Sequence, residues 1–121
     1  MAAMSKTRLY AEADICLFPE ARRGVRLPLR ATIATPVQFD NHPEEYWSMW
    51  IVPEEPLYPS KWGRAKVAVV MQEYASSLMA VGVRFSIWFG GDRGGEGVIR
   101  KVVACDEAEY DEMFRFGGGN R

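Results

Sequence analysis

Side chains that bind metals or act as nucleophiles are scarce in this chain of 121 residues. It contains one histidine, His42, and two cysteines, Cys16 and Cys105. The cysteines are far apart in the chain and match no zinc spacing, and with a single histidine they supply too few ligands for a structural zinc site. We expect no metal and two reduced, mostly buried thiols. A disulfide that joins the first and last strands is the alternative.

The sequence also lacks catalytic motifs. His42 stands in Asp40-Asn-His-Pro43, a composition typical of turns, so we expect an exposed loop histidine. There is no Gly-x-Ser-x-Gly elbow, and no base adjoins either cysteine. Two pairs of adjacent glutamates are present, but neighbours on a strand or loop point apart. We therefore expect no enzyme and no cofactor.

Phosphate-binding motifs are missing as well. The glycines between residues 90 and 97 are followed by neither the lysine nor the hydroxyl residue of a P-loop. They also lie between two predicted strands rather than before a helix. Turn geometry explains them better, so the chain is expected neither to bind nor to hydrolyse a nucleotide.

Long apolar runs and strong charge of one sign are absent too. The apolar runs are only a few residues long, and the first residues lack the apolar core of a signal peptide, so no membrane is expected and the predicted location is cytoplasmic. The net charge is −1, divided into +2 over residues 1–105 and −3 over residues 106–121. A dedicated nucleic-acid binder is usually far more basic.

Short segments of alternating hydrophobicity make up most of the chain. Six of them are predicted to be strands, and they fall at Glu12 to Phe18, Leu27 to Ile33, 46–52, Gly63 to Gln72, Val83 to Phe89 and Val98 to Ala104. Their similar spacing predicts one all-β domain, a small barrel or sandwich, over residues 11–104. Residues 1–10 are expected to be loose. Asp106 and Glu109 resemble a capping box, which predicts a short acidic helix over 106–115 and a glycine-rich tail within 105–121.

The strongest local pattern is a hairpin near the C-terminal end of the chain. The stretch Gly82-Val-Arg-Phe-Ser-Ile87 is followed by Gly90-Gly91 and by Gly95-Glu-Gly-Val-Ile99. This order resembles the closing hairpin of the C-terminal β-barrel, the third domain, of elongation factor Tu and related translational GTPases. The start, Ala13-Asp-Ile-Cys-Leu17 and then Pro28, is similar to the start of that domain. The resemblance spans residues 11–104 and implies a six-stranded antiparallel barrel.

The binding surface of that family is kept less well than its framework. In the family, the first loop and the hairpin turn each tend to carry a Gly-Gly-Arg element on the side that meets the transfer RNA helix. This chain has Arg22-Arg23-Gly-Val-Arg26 in the first loop, and Asp92 where the family arginine would fall, with Arg93 one place later. The resemblance therefore implies a relative of the barrel with a changed partner.

Arginines and tryptophans supply the candidate binding residues. Arginine makes bidentate contacts to phosphates and carboxylates, and several of these side chains would converge if the first loop and the hairpin turn share one end of the barrel. A solvated rim with local acidic partners is the alternative. Trp88 and Trp50 are predicted on the outer face, where they anchor an interface or are covered by the tail or a second copy. The candidates are Arg22, Arg23, Arg26, Arg30, Arg84, Trp88, Asp92 and Arg93.

We thus expect a stand-alone, non-enzymatic protein-binding module. In bacteria, its partner would be a translation factor, or a toxin that it neutralises as an immunity protein. Binding of structured RNA, such as a transfer RNA, through the arginine-rich end of the barrel is the alternative.

Overall fold

Six strands close into an antiparallel barrel in the computed structural model. The structure describes residues 7–19 and 25–116, and for residues 115 and 116 it describes the backbone only. In that part of the chain, the order around the barrel is β1, β4, β3, β2, β5, β6. This confirms the predicted all-β barrel. The strands are β1 (Arg8–Leu17), β2 (Ile33–Phe39), β3 (His42–Pro53), β4 (Trp62–Val69), β5 (Arg84–Phe89) and β6 (Asp92–Cys105).

The connections divide into two ends of the barrel. At one end, which we call the hairpin end, lie residues 25–32, residues 54–61 and the turn Gly90–Gly91. The backbone N–H of Phe18 donates to the carbonyl of Gly94 there, at 2.9 Å. At the opposite end, the tail end, lie the turn Asp40–Asn41, residues 70–83 and the segment after β6. The N–H of Asp40 donates to the carbonyl of Arg84 at 2.9 Å.

The barrel interior is filled by the apolar side chains that alternate along each strand. The rings of Phe39 and Phe85 pack with their centroids 5.8 Å apart. Aliphatic side chains from all the other strands are fully buried around them, among them Ile15, Met49, Val67 and Ile99. The period of two in the sequence thus predicts the inward face correctly, because each strand turns one face to a common core.

The glycines after the hairpin turn lie within strand β6. Only Gly90 and Gly91 form the turn, with φ of 65° and 156°, and β6 begins at Asp92. A return strand that begins at Val98 is therefore wrong. Gly94 and Gly97 point into the barrel, where a Cβ would overlap the rings of Phe89 and Phe85 respectively. These glycines leave space for aromatic rings rather than bending the chain.

The second strand also differs from the prediction. Residues 27–32 form no strand, and Leu29 makes only an isolated bridge to Leu57. Strand β2 instead runs through Pro36, and the hydroxyl of Thr35 donates to the carbonyl of Trp88 beside it. Asp40–Asn41 makes a two-residue turn to β3, the β2–β3 register shifts between Phe39 and Val37, and both of these side chains lie inside. The Thr35 hydroxyl thus supplies a donor in place of the backbone N–H that Pro36 lacks.

Strand β4 ends at Val69, three residues before its predicted end. Val70 and Met71 are exposed, and Gln72 opens the short helix α1 (Gln72–Ala75), which a helical turn over Ser76–Leu78 follows. The buried Gln72 amide accepts from the N–H of Leu9 at 2.8 Å and donates to the Leu9 carbonyl at 3.0 Å. It thereby extends the ladder on β1 with a side chain, a role that periodicity does not reveal.

The segment after β6 folds back over one outer face of the barrel. The capping box is confirmed: the Asp106 carboxylate accepts from the N–H of Glu109 at 2.8 Å, and the Glu109 carboxylate accepts from the N–H of Asp106. Helix α2 (Glu107–Tyr110) continues in wider helical turns through Asp111–Phe116. Its buried Tyr110 and Phe114 form a second apolar cluster with Ala68 and Cys105.

Strand β1 begins at Arg8, within the stretch predicted to be loose. The guanidinium of Arg8 ties this start to the tail. It lies 3.4 Å from the carboxylate of Glu107 and stacks over the ring of Tyr110, 5.7 Å from its centroid. The predicted glycine-rich tail from Gly117 onward lies outside the described residues.

Replacement of Gly97 by alanine tests the aromatic packing. We expect Gly97→Ala to lower the free energy of unfolding by roughly 2–3 kcal/mol, because the new methyl group displaces the Phe85 ring in a filled core. Urea denaturation followed by tryptophan fluorescence measures this change. Glu96→Ala, at the adjacent outward position, is the control and is expected to change stability by no more than about 0.5 kcal/mol. Equal stability of the two variants would contradict this account of β6.

Candidate functional site

A shallow apolar groove lies on the outer face of the barrel near the hairpin turn. Its lining comprises Pro36, Tyr46, Trp88, Gly90 and Gly91, and its volume is about 400 Å³. The rings of Tyr46 and Trp88 meet edge to face, with centroids 5.7 Å apart and planes at 74°. We call these five residues the aromatic groove. Aromatic pairs prefer this arrangement, which holds the two rings in a defined position.

The strand register brings the groove residues together. Val37 pairs with Ile87 on one side and with Trp47 on the other, and all three lie on the inward side of their strands. The residues that precede or follow them therefore point outward, which places Pro36 between Trp88 of β5 and Tyr46 of β3. Sequence reasoning identified Trp88 as outward facing, and the structure confirms this position.

The tail covers a different part of the outer surface. Trp50 packs against the tail cluster around Tyr110 and Phe114, so for this tryptophan coverage by the tail is the predicted alternative that the structure confirms. Trp88 lies under the edge of Tyr46 instead. Tyr46 itself is 54% exposed, and Pro36 is exposed beside it. The outer face of β2 and its neighbours is thus the open face.

The indole N–H of Trp88 is a polar group in a groove whose lining is otherwise mostly apolar. Its nitrogen, Nε1, is buried and has no hydrogen-bond acceptor within residues 7–19 and 25–114. The indole Nε1 of Trp47, which packs against the barrel core, is in the same state. A buried donor without an acceptor costs about 1–3 kcal/mol. Of the two indoles, only that of Trp88 lines the groove, where an acceptor on a ligand would remove this cost.

Arg93 stands beside the groove. It pairs with Trp88 across β5 and β6, and its Nε donates to the hydroxyl of Ser86 at 3.1 Å. Its guanidinium carbon lies 5.4 Å from the ring centroid of Phe18. Among residues 7–19 and 25–114, no carboxylate forms an ion pair with it. Arg93 therefore offers a positioned cation at the edge of the aromatic groove.

The other candidate residues are only partly brought together. Arg26 and Arg30 are exposed at the hairpin end, where they border an apolar hollow formed by residues 25–33. Asp92 is exposed opposite Phe89 at the same end. Arg84 lies at the tail end, on the far side of β5 from the turn, and is not part of this group. Arg22 and Arg23 lie outside the described residues.

His42 is the first residue of β3 rather than part of a loop. Its ring nitrogens lie 3.3 Å and 3.7 Å from the carboxylates of Glu44 and Glu45, and all three side chains are substantially exposed. Within the ranges that the structure describes, no three histidine, cysteine or acidic side chains gather closely enough to hold a metal ion. In the same ranges, no helix has the length and apolar character needed to cross a membrane.

The cysteines lie near opposite ends of strand β1. Cys16 pairs with Trp62 at the hairpin end, whereas Cys105 pairs with Arg8 at the tail end. Eight residues of strand separate the two positions along β1, or roughly 26 Å, whereas a disulfide needs Cα atoms within about 7 Å. The disulfide alternative is wrong, and both thiols are free as predicted.

Burial raises the pKa of both thiols above the ordinary value. Nearby carboxylates add to the effect: Glu109 and Asp106 raise the pKa of Cys105 further, and Glu96 does so for Cys16. Since the thiolate is the nucleophile, neither cysteine has the electropositive setting of a reactive one.

Sequence reasoning missed two residues of the groove. The sequence places Tyr46 at the first position of the predicted strand 46–52 and leaves Pro36 outside every predicted strand. The adjacent Glu44 and Glu45 are the signal that this part of β3 is exposed, because charged residues are rarely buried without partners. The strand register that brings Pro36 next to Trp88 depends on contacts between distant parts of the chain, so no local sequence pattern reveals it.

Comparison of the chain with models of known protein families and with curated proteins finds no match.

The thiol chemistry yields a direct prediction. At pH 8, we expect Cys105 in the folded protein to be alkylated by iodoacetamide at least about tenfold more slowly than in urea, because its raised pKa and its burial remove the reactive thiolate. Mass spectrometry of the intact protein and of its peptides measures both rates. The partly exposed Cys16 is the internal comparison and is expected to react faster than Cys105. Equal rates for Cys105 in the folded and unfolded protein would contradict the assignment.

Proposed function

We propose that this protein is a non-enzymatic binding module that recognises another protein through the aromatic groove. The observation that carries the proposal is the open pair of Tyr46 and Trp88 beside Arg93. Tyrosine, tryptophan and arginine are the side chains that most often dominate protein interfaces. Here, one representative of each lies on a single face, which the described segments of the chain leave open.

The filled interior supports a surface site. The inward side chains of every strand are almost completely buried against one another. A small-molecule cavity within the barrel would require these side chains to be absent or displaced, at a cost of several kcal/mol for each large residue. Binding at the outer face needs no such change.

Two separate arguments indicate what kind of protein the partner is. The resemblance of the hairpin to the third domain of elongation factor Tu favours association with a translation factor. The single small domain and its compact exposed patch favour a toxin that the chain neutralises as an immunity protein. Both partners would use the same groove, so one set of variants tests them together.

Structured RNA is the second candidate. Arg26, Arg30 and Arg93 share the hairpin end, which in the resembled family faces the transfer RNA helix. Acidic residues at the same end oppose this role, since phosphate binding depends on an excess of cations. They are Glu54, Glu55 and Asp92.

A capture experiment with matched tyrosine variants tests the proposal. The full chain is immobilised and exposed to lysate of the cells that make it, and bound protein and RNA are both identified. We expect one protein to be retained by the wild type and by Tyr58→Ala, but about tenfold less by Tyr46→Ala. The two tyrosines are similarly exposed, at 54% and 48%, so the comparison isolates the groove.

The same experiment separates the alternatives. Retention of RNA that falls steeply with salt and is lost in Arg26→Ala would favour the RNA role and contradict the protein-binding proposal. Equal retention of the partner by Tyr46→Ala and Tyr58→Ala would show that the groove is not the binding surface.

A further inference from the structure

We infer that the occupant of the aromatic groove is a proline-rich segment of the partner in the polyproline II conformation, with an acidic residue placed next to Arg93. This inference rests on the proposed protein-binding function and specifies the chemistry of the partner. It follows from the sheet topology, the lining of the groove, its unpaired donor and its neighbouring charges.

The position of the groove argues against one common way of binding an extended peptide, the addition of a strand to a sheet. Each described strand has a neighbour on both sides, and the groove lies on the outer face of the sheet rather than along a strand edge, so a segment seated in it does not add a strand. The groove, at about 400 Å³, is also too small for several turns of an amphipathic helix. A polyproline II segment needs neither a sheet edge nor a long groove, because its backbone makes no internal or ladder hydrogen bonds.

The lining matches the surface of such a segment. Proline rings are compact and apolar, and proline-rich segments bind in grooves lined by aromatic side chains. Tyr46 and Trp88 are such a pair, at 74° to each other. Gly90 and Gly91 close the groove without side chains, which allows the backbone of a ligand to approach the turn closely.

The unpaired indole N–H matches the backbone of the same ligand. Carbonyl groups of a polyproline II segment have no intramolecular donors and are free to accept. A carbonyl that accepts from Nε1 of Trp88 would remove the penalty of a buried donor without a partner. Because this nitrogen is covered in the free protein, a neighbouring side chain must move first. Tyr46, which is the exposed member of the ring pair, is the side chain we expect to rotate.

The charges around the groove select the orientation. Arg93 lies next to Trp88 and forms no ion pair with a described carboxylate. Glu44 and Glu45 precede Tyr46 on β3, at the opposite side of the groove. An acidic residue of the ligand is therefore attracted towards Arg93 and repelled from the β3 side.

The probe is a short fluorescent peptide of consecutive prolines with two glutamates at one end, titrated against the full chain and followed by anisotropy. We expect saturable binding to the wild type. A peptide in which glycines replace the prolines loses the polyproline II conformation and should bind at least about tenfold more weakly. A proline peptide with lysines in place of the glutamates should also bind about tenfold more weakly, because Arg93 then repels it.

Matched variants assign the contacts. Trp88→Phe keeps an aromatic ring but loses the donor, and should weaken binding of the proline peptide about tenfold, whereas Trp62→Phe, at a tryptophan that is 51% exposed elsewhere, should not. Arg93→Ala should remove the preference for glutamate over lysine, and Arg84→Ala, at the tail end, should leave it unchanged. In nuclear magnetic resonance spectra, the indole N–H signal of Trp88 should move on binding.

The outcomes separate this inference from the proposed function. Absence of binding by the proline peptide, or equal binding of the glycine peptide, would overturn the inference. The proposed function would still stand if Tyr46→Ala loses a protein partner from lysate. Binding that is unaffected by Trp88→Phe, with no movement of its indole signal, would also overturn the inference, because the unpaired donor would then have no role.

Discussion

The barrel depends on how the rings of Phe85 and Phe89 pack against strand β6. Both rings occupy space that exists only because Gly97 and Gly94 lack side chains. Gly95 also lies close to β1, where a Cβ would come within 2.8 Å of the Cys16 carbonyl. These close approaches let β6 pair with β1 and β5 at once and complete the ring of strands. The interior formed by the described strands is filled with buried side chains, which favours recognition at the outer surface.

The outer surface is divided between a covered face and an open one. The tail, held by its capping box and by Arg8, lies over Tyr10 and Trp50 and brings Phe114 within 5.9 Å of the Tyr10 ring. On the open face, the ring of Trp88 packs against the edge of Tyr46, which is itself 54% exposed. The same physical rule, that large apolar side chains are stabilised by removal from water, explains the tail on one face and argues for a partner on the other.

Much of the fold was predictable from the sequence, because strand alternation and the Asp106 capping box are local signals. The number of strands, the inward faces and the final helix followed from these patterns. The errors arose where tertiary contacts decide. Gly94 and Gly97 read as turn residues, although neighbouring rings require them within a strand. Leu27 to Ile33 alternate like a strand, yet Leu29 pairs only with Leu57. Gln72 extends a strand ladder through its side chain, which no period shows.

For the site, the sequence indicated Trp88 and Arg93 but missed Tyr46 and Pro36, since only the register of three strands joins them. The central claim is that the open face binds the partner. Hydrogen exchange of the full chain, with and without the captured partner, tests it most directly. The account predicts slower exchange over residues 35–47 and 84–93, with no change over residues 70–83. Protection confined to residues 70–83, where Val70, Met71 and Tyr74 are exposed at the tail end, would contradict it.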